Sequence, residues 1–330
     1  MNTKDTIIKL FAERKELTVR EITAQTGFSK QMIHLVLKQL LERALVEKQG
    51  KTPKTVYRYK AERTIPMAPV EISKEEELLL QRYFVYITEN GRLLEGAGAF
   101  EVWCYKRGLS PANTIKTYID LRTELESHPN DHQLINGINK LKNTKGYDKV
   151  HLDHLFYLDF YAIERFGKTR LGTLLHYAKQ GQNKFLMNLL MQETRDRIHA
   201  FIQQNKTDAI AFVPPTLKRE NQFMRHMENY LQLTLPLIEL EKVNGLIPVV
   251  QRSLQTLDAR IQNAEHTFIV SEKRKFNHVL LIDDETNSGA TFNQLAGKLK
   301  SRGIAKTVTG VALTGQQKGF EATADIKVVA

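Results

Sequence analysis

The run Val279-Leu280-Leu281-Ile282-Asp283-Asp284-Glu285-Thr286-Asn287-Ser288-Gly289-Ala290-Thr291 constrains this chain more than any other stretch, because it joins a continuous apolar segment to adjacent acids and a loop of small residues. Four consecutive apolar residues predict a strand covered on both faces, as in a parallel sheet. The acids then fall where the strand ends, outside the carboxyl edge, where open α/β folds place their ligands. Thr286, Asn287, Ser288, Gly289, Ala290 and Thr291 offer hydroxyls and unhindered backbone N–H groups at the start of a following helix, whose partial positive charge suits a phosphate. Asp283 and Asp284 stand beside that site as acceptors for vicinal ribose hydroxyls or as outer partners of Mg²⁺. The run therefore predicts a sugar-phosphate site. The plainer alternative is a strand, turn and helix whose acids cap the helix.

A chain of 330 residues with 42% apolar side chains is long enough for two or three domains with real cores. Its net charge of +11 is not gathered in a polybasic tail, so it spreads over folded surface and favours a polyanionic partner, nucleic acid first. Cys104 is the only cysteine, which excludes an intramolecular disulfide and any cysteine-rich zinc site, so no structural zinc is expected. No apolar run reaches membrane-spanning length, and the start Met1-Asn2-Thr3-Lys4-Asp5 has no signal-peptide core. A cytoplasmic protein with no membrane partner is expected.

Residues 1–62 divide into three helical patterns and a hairpin. Ile7, Ile8, Leu10 and Phe11 make a first apolar face; Thr18-Val19-Arg20-Glu21 has capping-box spacing, and Gly27 is placed to end that second helix at a positive φ. Ser29 can cap a third helix in which Ile33, Val36, Leu37, Leu40 and Leu41 recur at helical spacing, leaving Lys30, Gln31, His34 and Lys38 on other faces. Two short strands follow, around the basic turn from Lys48 to Lys54. This order resembles the winged helix of DNA-binding domains. Residues 1–63 hold 14 Lys or Arg against 7 Asp or Glu, so most of the chain's net charge lies here. The resemblance implies that Lys30, Gln31 and His34 approach base edges while Lys48, Lys51, Lys54 and Arg58 contact phosphates. The other use of such a fold is protein contact.

Residues 63–72, with two prolines and little apolar content, read as a linker, and 73–147 as a helical region of unknown role. Within it, Trp103 beside Tyr105, Lys106 and Arg107 is either a stacking platform for bases or a core residue next to a basic turn, and a lone Trp usually buries. Gly167-Lys168-Thr169 lacks the Gly that a phosphate-binding P-loop needs five residues earlier, since position 162 is Ala. His151, Asp153 and His154 are ligand types without supporting ligands, so a solvated turn is expected there.

Residues 148–330 carry the second resemblance. The opening run resembles the motif by which type I phosphoribosyltransferases bind phosphoribosyl pyrophosphate (PRPP), in which apolar residues precede two acids and a Thr-Thr-Gly-x-Thr-like loop. Glu285 replaces a usual apolar residue, Ser288 keeps a hydroxyl, and Asn287 stands where members carry Thr or an acid/base Asp. An amide cannot serve as general base. Phe160-Tyr161-Ala162 and the segment Leu174 to Gly181 resemble the lead-in of ComF-type competence proteins. In that family a Val-Pro strand end leads to a basic pyrophosphate loop, which implies that role for Thr216, Lys218 and Arg219 after Val213-Pro214-Pro215. Gln251, Arg252 and Arg260, followed by Asn263 and Phe268, resemble the family's hood over the active site. The zinc-binding cysteines of ComF-type proteins are absent. A basic reader in front of such a domain is similar to the arrangement in purine-operon repressors.

These readings predict a multi-domain protein: a winged helix, a helical middle, and a C-terminal α/β type I phosphoribosyltransferase fold with a mostly parallel sheet. Three functions compete. One is a dimeric, ligand-responsive transcriptional regulator that binds DNA and senses PRPP or a nucleotide with Mg²⁺. The second is an active phosphoribosyltransferase of nucleotide metabolism, and the third a ComF-like handler of DNA.

Overall fold

Val279 and Leu281 pack into one core, whereas Leu280 and Ile282 pack into another, so the strand that carries them is buried on both faces. This is the period of two expected of a strand inside a sheet with helices on either side. The protein is seen in a computed structural model that describes residues 3–14, 16–42, 46–50, 55–59, 72–126, 130–131 and 134–317. The chain divides into two units, Met1–Glu71 and Ile72–Ala330. The expected linker at 63–72 lies, apart from Ile72, outside the described residues.

In the first unit α1 (Thr3–Glu13) is followed by β1 (Glu16–Leu17), α2 (Val19–Thr26), α3 (Lys30–Glu42), β2 (Val46–Gln49) and β3 (Val56–Tyr59). The capping box before α2 forms: the Glu21 N–H donates to Thr18 Oγ1, and the Thr18 N–H donates to Glu21 Oε2 at 2.7 Å. The Thr18 N–H and the Thr18 hydroxyl both donate to Glu21 Oε2 and hold that carboxyl below its ordinary value. Gly27 ends the helix at φ 72°, and Ser29 Oγ accepts the Met32 N–H at the start of α3. Ile7, Phe11, Ile22, Ile33, Leu37 and Leu40 share one core with Val46 and Tyr57. The strand β1 was not anticipated. Too short to show a period, it pairs antiparallel with β3, so that the sheet order is β1-β3-β2.

The second unit begins with α4 (Lys74–Tyr83), the hairpin β4 (Val85–Ile87) and β5 (Leu93–Glu95), α5 (Gly96–Lys106), α6 (Pro111–Glu126), β6 (Asn130–Asp131), β7 (Leu134–Asn136) and α7 (Ile138–Asn143). The stretch expected to be helical is therefore mixed. Its strands β6 and β7 extend the main sheet at one edge, and it belongs to the same unit as the residues after it. Each of these strands has two or three residues, too few for alternation to be legible. Trp103 is core: it is 4% exposed and stacks on Phe100 at 6.0 Å and on Phe166 at 5.7 Å.

Next come β8 (His154–Phe160), β9 (Ala162–Ile163), β10 (Gly167–Lys168), α8 (Arg170–Gln180), α9 (Lys184–Gln204), β11 (Ala209–Phe212), α10 (Phe223–Leu231), β12 (Leu240–Lys242), α11 (Leu257–Thr267), β13 (Phe268–Val270), β14 (Phe276–Thr286), α12 (Ala290–Ser301) and β15 (Ala305–Gly315). Among the described residues the main sheet has the order β11-β14-β15-β8-β7-β6, parallel from β11 to β8 and antiparallel beyond. Helices α8, α9 and α10 cover one face, and α12 and the α4–α6 layer the other. Gly167 and Lys168 form a minor hairpin strand, and Thr169 caps α8, so that segment is an ordinary helix start. Asp153 accepts from Lys300 Nζ and from the Val308 N–H at 2.7 Å, which makes it a structural acid. No helix among the described residues is long and apolar enough to cross a membrane.

Candidate functional site

Strands β11 and β14 lie side by side in parallel, with Phe212 opposite Ile282; β11 ends at this edge, whereas β14 runs on to Thr286 against β15, so the acids lie on the last residues of the strand and not beyond its end as expected. The Val213 N–H donates to the Ile282 carbonyl at 2.8 Å, which extends the pairing to the point where Pro214 and Asp283 diverge. Beyond that point opens a cleft of about 280 Å³. Helix α12 begins on its wall. Gly289 is the N-cap at φ 79° and makes no side-chain cap; of the first-turn N–H groups, that of Ala290 donates to Ser288 Oγ at 3.4 Å, which leaves those of Thr291 and Phe292 for a ligand. The end of α8 brings Lys179 to the cleft, while β12 brings Lys242, the segment before α11 brings Gln251 and Arg252, and α11 itself brings Arg260.

Five cationic side chains line the cleft, Lys179, Arg219, Lys242, Arg252 and Arg260, against the three acids Asp283, Asp284 and Glu285. The excess suits an anion. Lys179 Nζ lies 2.6 Å from Asp284 Oδ2, and Arg252 Nη1 lies 3.5 Å from Glu285 Oε2. Burial alone would lower the Lys179 ammonium, but Asp284 and its acidic neighbours hold it above the ordinary lysine value. Asp283 moves the opposite way from a salt-bridged acid: burial, then the charge of Asp284, push its carboxyl well above the usual range, although the Asp284 N–H donates to Asp283 Oδ1 at 2.8 Å. Burial likewise raises Glu285 and lowers Lys242. His176, which bonds the Tyr161 hydroxyl through Nδ1 at 3.0 Å, is lowered by burial and by Lys168 and Arg252.

The loop between the acids and α12 is held from several sides. Gln251 Nε2 donates to the Arg260 carbonyl at 2.9 Å and to Thr291 Oγ1 at 3.3 Å, and Arg260 Nε donates to the Leu254 carbonyl. Thr286 and Ser288 are buried. Asn287 Oδ1 and Gln251 Oε1 are buried atoms without a hydrogen-bond partner, the kind of unsatisfied acceptor that a ligand donor relieves. On the facing loop, Thr216 Oγ1 accepts from Lys242 Nζ at 2.7 Å, and Arg219 donates to the Lys179 carbonyl, tying that loop to the end of α8.

The cleft thus gathers Asp283, Asp284, the loop from Thr286 to Thr291, Thr216, Arg219, Gln251, Arg252 and Arg260. Lys218 is not among them. It is exposed and does not line the cleft, whereas Arg219 beside it donates to the Lys179 carbonyl at the end of α8. Lys179, Tyr161, His176 and Lys242 line the cleft without having been assigned to it. Tyr161, His176 and Lys179 lay within segments already singled out, whereas Lys242 carries no local signal.

For Mg²⁺, Asp283 and Asp284 are the carboxylates that would face an ion carried by a ligand's phosphates. Asp284 already has a cation in Lys179, and no group of three ligand side chains able to hold a metal occurs among the described residues. Asp283 and Asp284 would face such an ion from outside its phosphate ligands, as one or two carboxylates commonly do.

In the first unit, Lys30, Gln31 and His34 are exposed along α3, together with Met32 and Leu35, and Lys48 is exposed on β2. Arg58, expected at a DNA phosphate, instead donates from Nε to Glu16 Oε1 at 2.6 Å, because the unanticipated β1 sets Glu16 opposite Arg58. Lys51 and Lys54 lie outside the described residues.

No family model matches this chain, and no curated protein matches it. Among solved structures, a hypoxanthine phosphoribosyltransferase from Staphylococcus aureus shows a weak likeness, with 16% identity and a TM-score of 0.25, over 40% of this chain and 69% of its own.

Proposed function

We propose that the chain is a cytoplasmic DNA-binding regulator whose second unit takes PRPP or a nucleotide as its ligand. The observation that carries the ligand half is the convergence, in one cleft of about 280 Å³, of a helix start with a glycine N-cap, an acid pair and an excess of cations. A sugar phosphate calls for those three things: N–H donors and positive charge for phosphate, and carboxylates for vicinal hydroxyls. Asn287, with an amide where a base would be needed, favours sensing over transfer.

The DNA half is supported by the order of elements in the first unit, three helices with a three-stranded antiparallel sheet, which fits a winged helix. Lys30, Gln31 and His34 share the exposed side of α3, with Leu35 able to meet a thymine methyl. Such readers act as dimers on paired half-sites, so the ligand would work by altering subunit arrangement. The test is a footprint on duplex DNA with and without millimolar PRPP and Mg²⁺. A footprint that the ligand leaves unchanged counts against the regulator. Pyrophosphate released from PRPP in the presence of a base or amine would mark a phosphoribosyltransferase instead.

A further inference from the structure

Two residues from the stretch without a function in sequence reach the loop that starts α12. Tyr147 donates its hydroxyl to the Ser288 carbonyl at 2.7 Å. Leu141, on α7, presses against Gly289 so closely that a Cβ there would lie 2.8 Å from its Cδ1. Ser288 and Gly289 both line the cleft, whereas Tyr147 stands behind the loop and takes no part in the cleft wall.

The Ser288–Gly289 peptide is planar and trans, so its carbonyl and its N–H point in opposite directions. A hydroxyl that draws the carbonyl away from the cleft therefore turns the Gly289 N–H toward it. We propose that Tyr147 is a positioning residue, which locks this peptide so that the Gly289 N–H is presented to a ligand phosphate. The assignment rests on the sugar-phosphate reading of the cleft and identifies the device that would orient its anion-binding loop. Glycine is the residue at which a peptide reorients most readily. Without Tyr147, a turn of the peptide would place the carbonyl oxygen where the anion is to bind, and the donor would become a repulsive dipole. Burial pushes the Tyr147 phenol up, which keeps it protonated and able to donate. Leu141 has the complementary role of blocking any side chain at position 289.

The experiment compares the full chain with its Tyr147→Phe variant, which keeps the ring and its packing. Calorimetric titrations with ribose 5-phosphate and with adenosine are read beside the melting temperature and the amide spectrum of [¹⁵N]glycine-labelled protein. In the variant, affinity for ribose 5-phosphate falls by about tenfold, the worth of a charge-assisted hydrogen bond, with affinity for the unphosphorylated nucleoside unchanged. In the wild type, the Gly289 amide proton moves downfield on saturation with ribose 5-phosphate, and this movement shrinks in the variant. Equal affinity in the two proteins overturns the positioning role alone. A wild-type Gly289 resonance unmoved at saturation also overturns it, even if the variant fails to fold. A wild type that binds neither ribose 5-phosphate nor PRPP overturns the reading of the cleft itself.

Discussion

Lys179 and Asp284 meet at 2.6 Å on the wall of the cleft, one from the last turn of α8 and the other from the end of β14, 105 residues further along the chain. Asp284 is buried and Lys179 keeps 36% of its side chain exposed, so water screens the ammonium more than the carboxylate. Removing the lysine strands the acid. Lys179→Met is expected to destabilise the ligand-free protein by about 1–3 kcal/mol, less than for a fully enclosed pair. Urea unfolding of this variant, of Asp284→Asn and of the double variant checks it: the double change recovers part of the loss.

Asp283 gives the reverse outcome. Its carboxyl is raised by burial and by Asp284, so the folded chain holds that proton to higher pH than the unfolded chain does. Stability therefore falls as pH rises from the ordinary carboxylate range towards the raised folded value, and the charged acid is a liability above it. Asp283→Asn is expected to stabilise the ligand-free protein at neutral pH by about 0.5–2 kcal/mol while weakening PRPP binding, a trade common at functional sites. Denaturation at pH 5 and pH 8, for wild type and variant, reads the sign. A variant less stable than the wild type at pH 8 refutes it.

Gly289→Ala meets two obstacles, a φ of 79° and Leu141 at 2.8 Å from the added carbon. Loss of about 1–3 kcal/mol is expected, with loss of phosphate-ligand affinity. Shortening the obstructing side chain, in Gly289→Ala with Leu141→Ala, should not restore binding fully, since the backbone strain remains.

In the first unit, Lys48→Ala should lower the slope of log affinity for duplex DNA against log salt by about one ion, whereas Arg58→Ala should change it less, because Glu16 already holds that guanidinium. Neither change should alter PRPP affinity. A crossover between the two activities in binding titrations would refute the division into reader and sensor.

Elements with local signals were legible in the amino-acid sequence. The Thr18 capping box, the Gly27 stop, the apolar face of α3 and the buried strand that carries Asp283 each depend on residues within a few positions of one another. The loop from Thr286 to Thr291 and the hood residues Gln251, Arg252 and Arg260 likewise arrive at the cleft. The short strands β1, β6 and β7 had no such signal, and β1 changed the standing of Arg58 by placing Glu16 across from it. Lys218 and Arg219 were equivalent as charges in sequence, and only the packing of the loop against α8 separated them.

The sequence by itself determined that this chain would carry a strand, an acid pair and a small-residue loop suited to phosphate, because backbone propensity and burial period are local properties. Tertiary structure alone decided that Lys179 would neutralise Asp284, that Asp283 would keep its proton to higher pH, and that Tyr147 would hold the loop from behind. The contacts of Lys179 and Tyr147 join residues far apart in the chain, and Asp283 is raised chiefly by burial in the folded core. Their energies depend on desolvation and distance, which no spacing along the chain encodes.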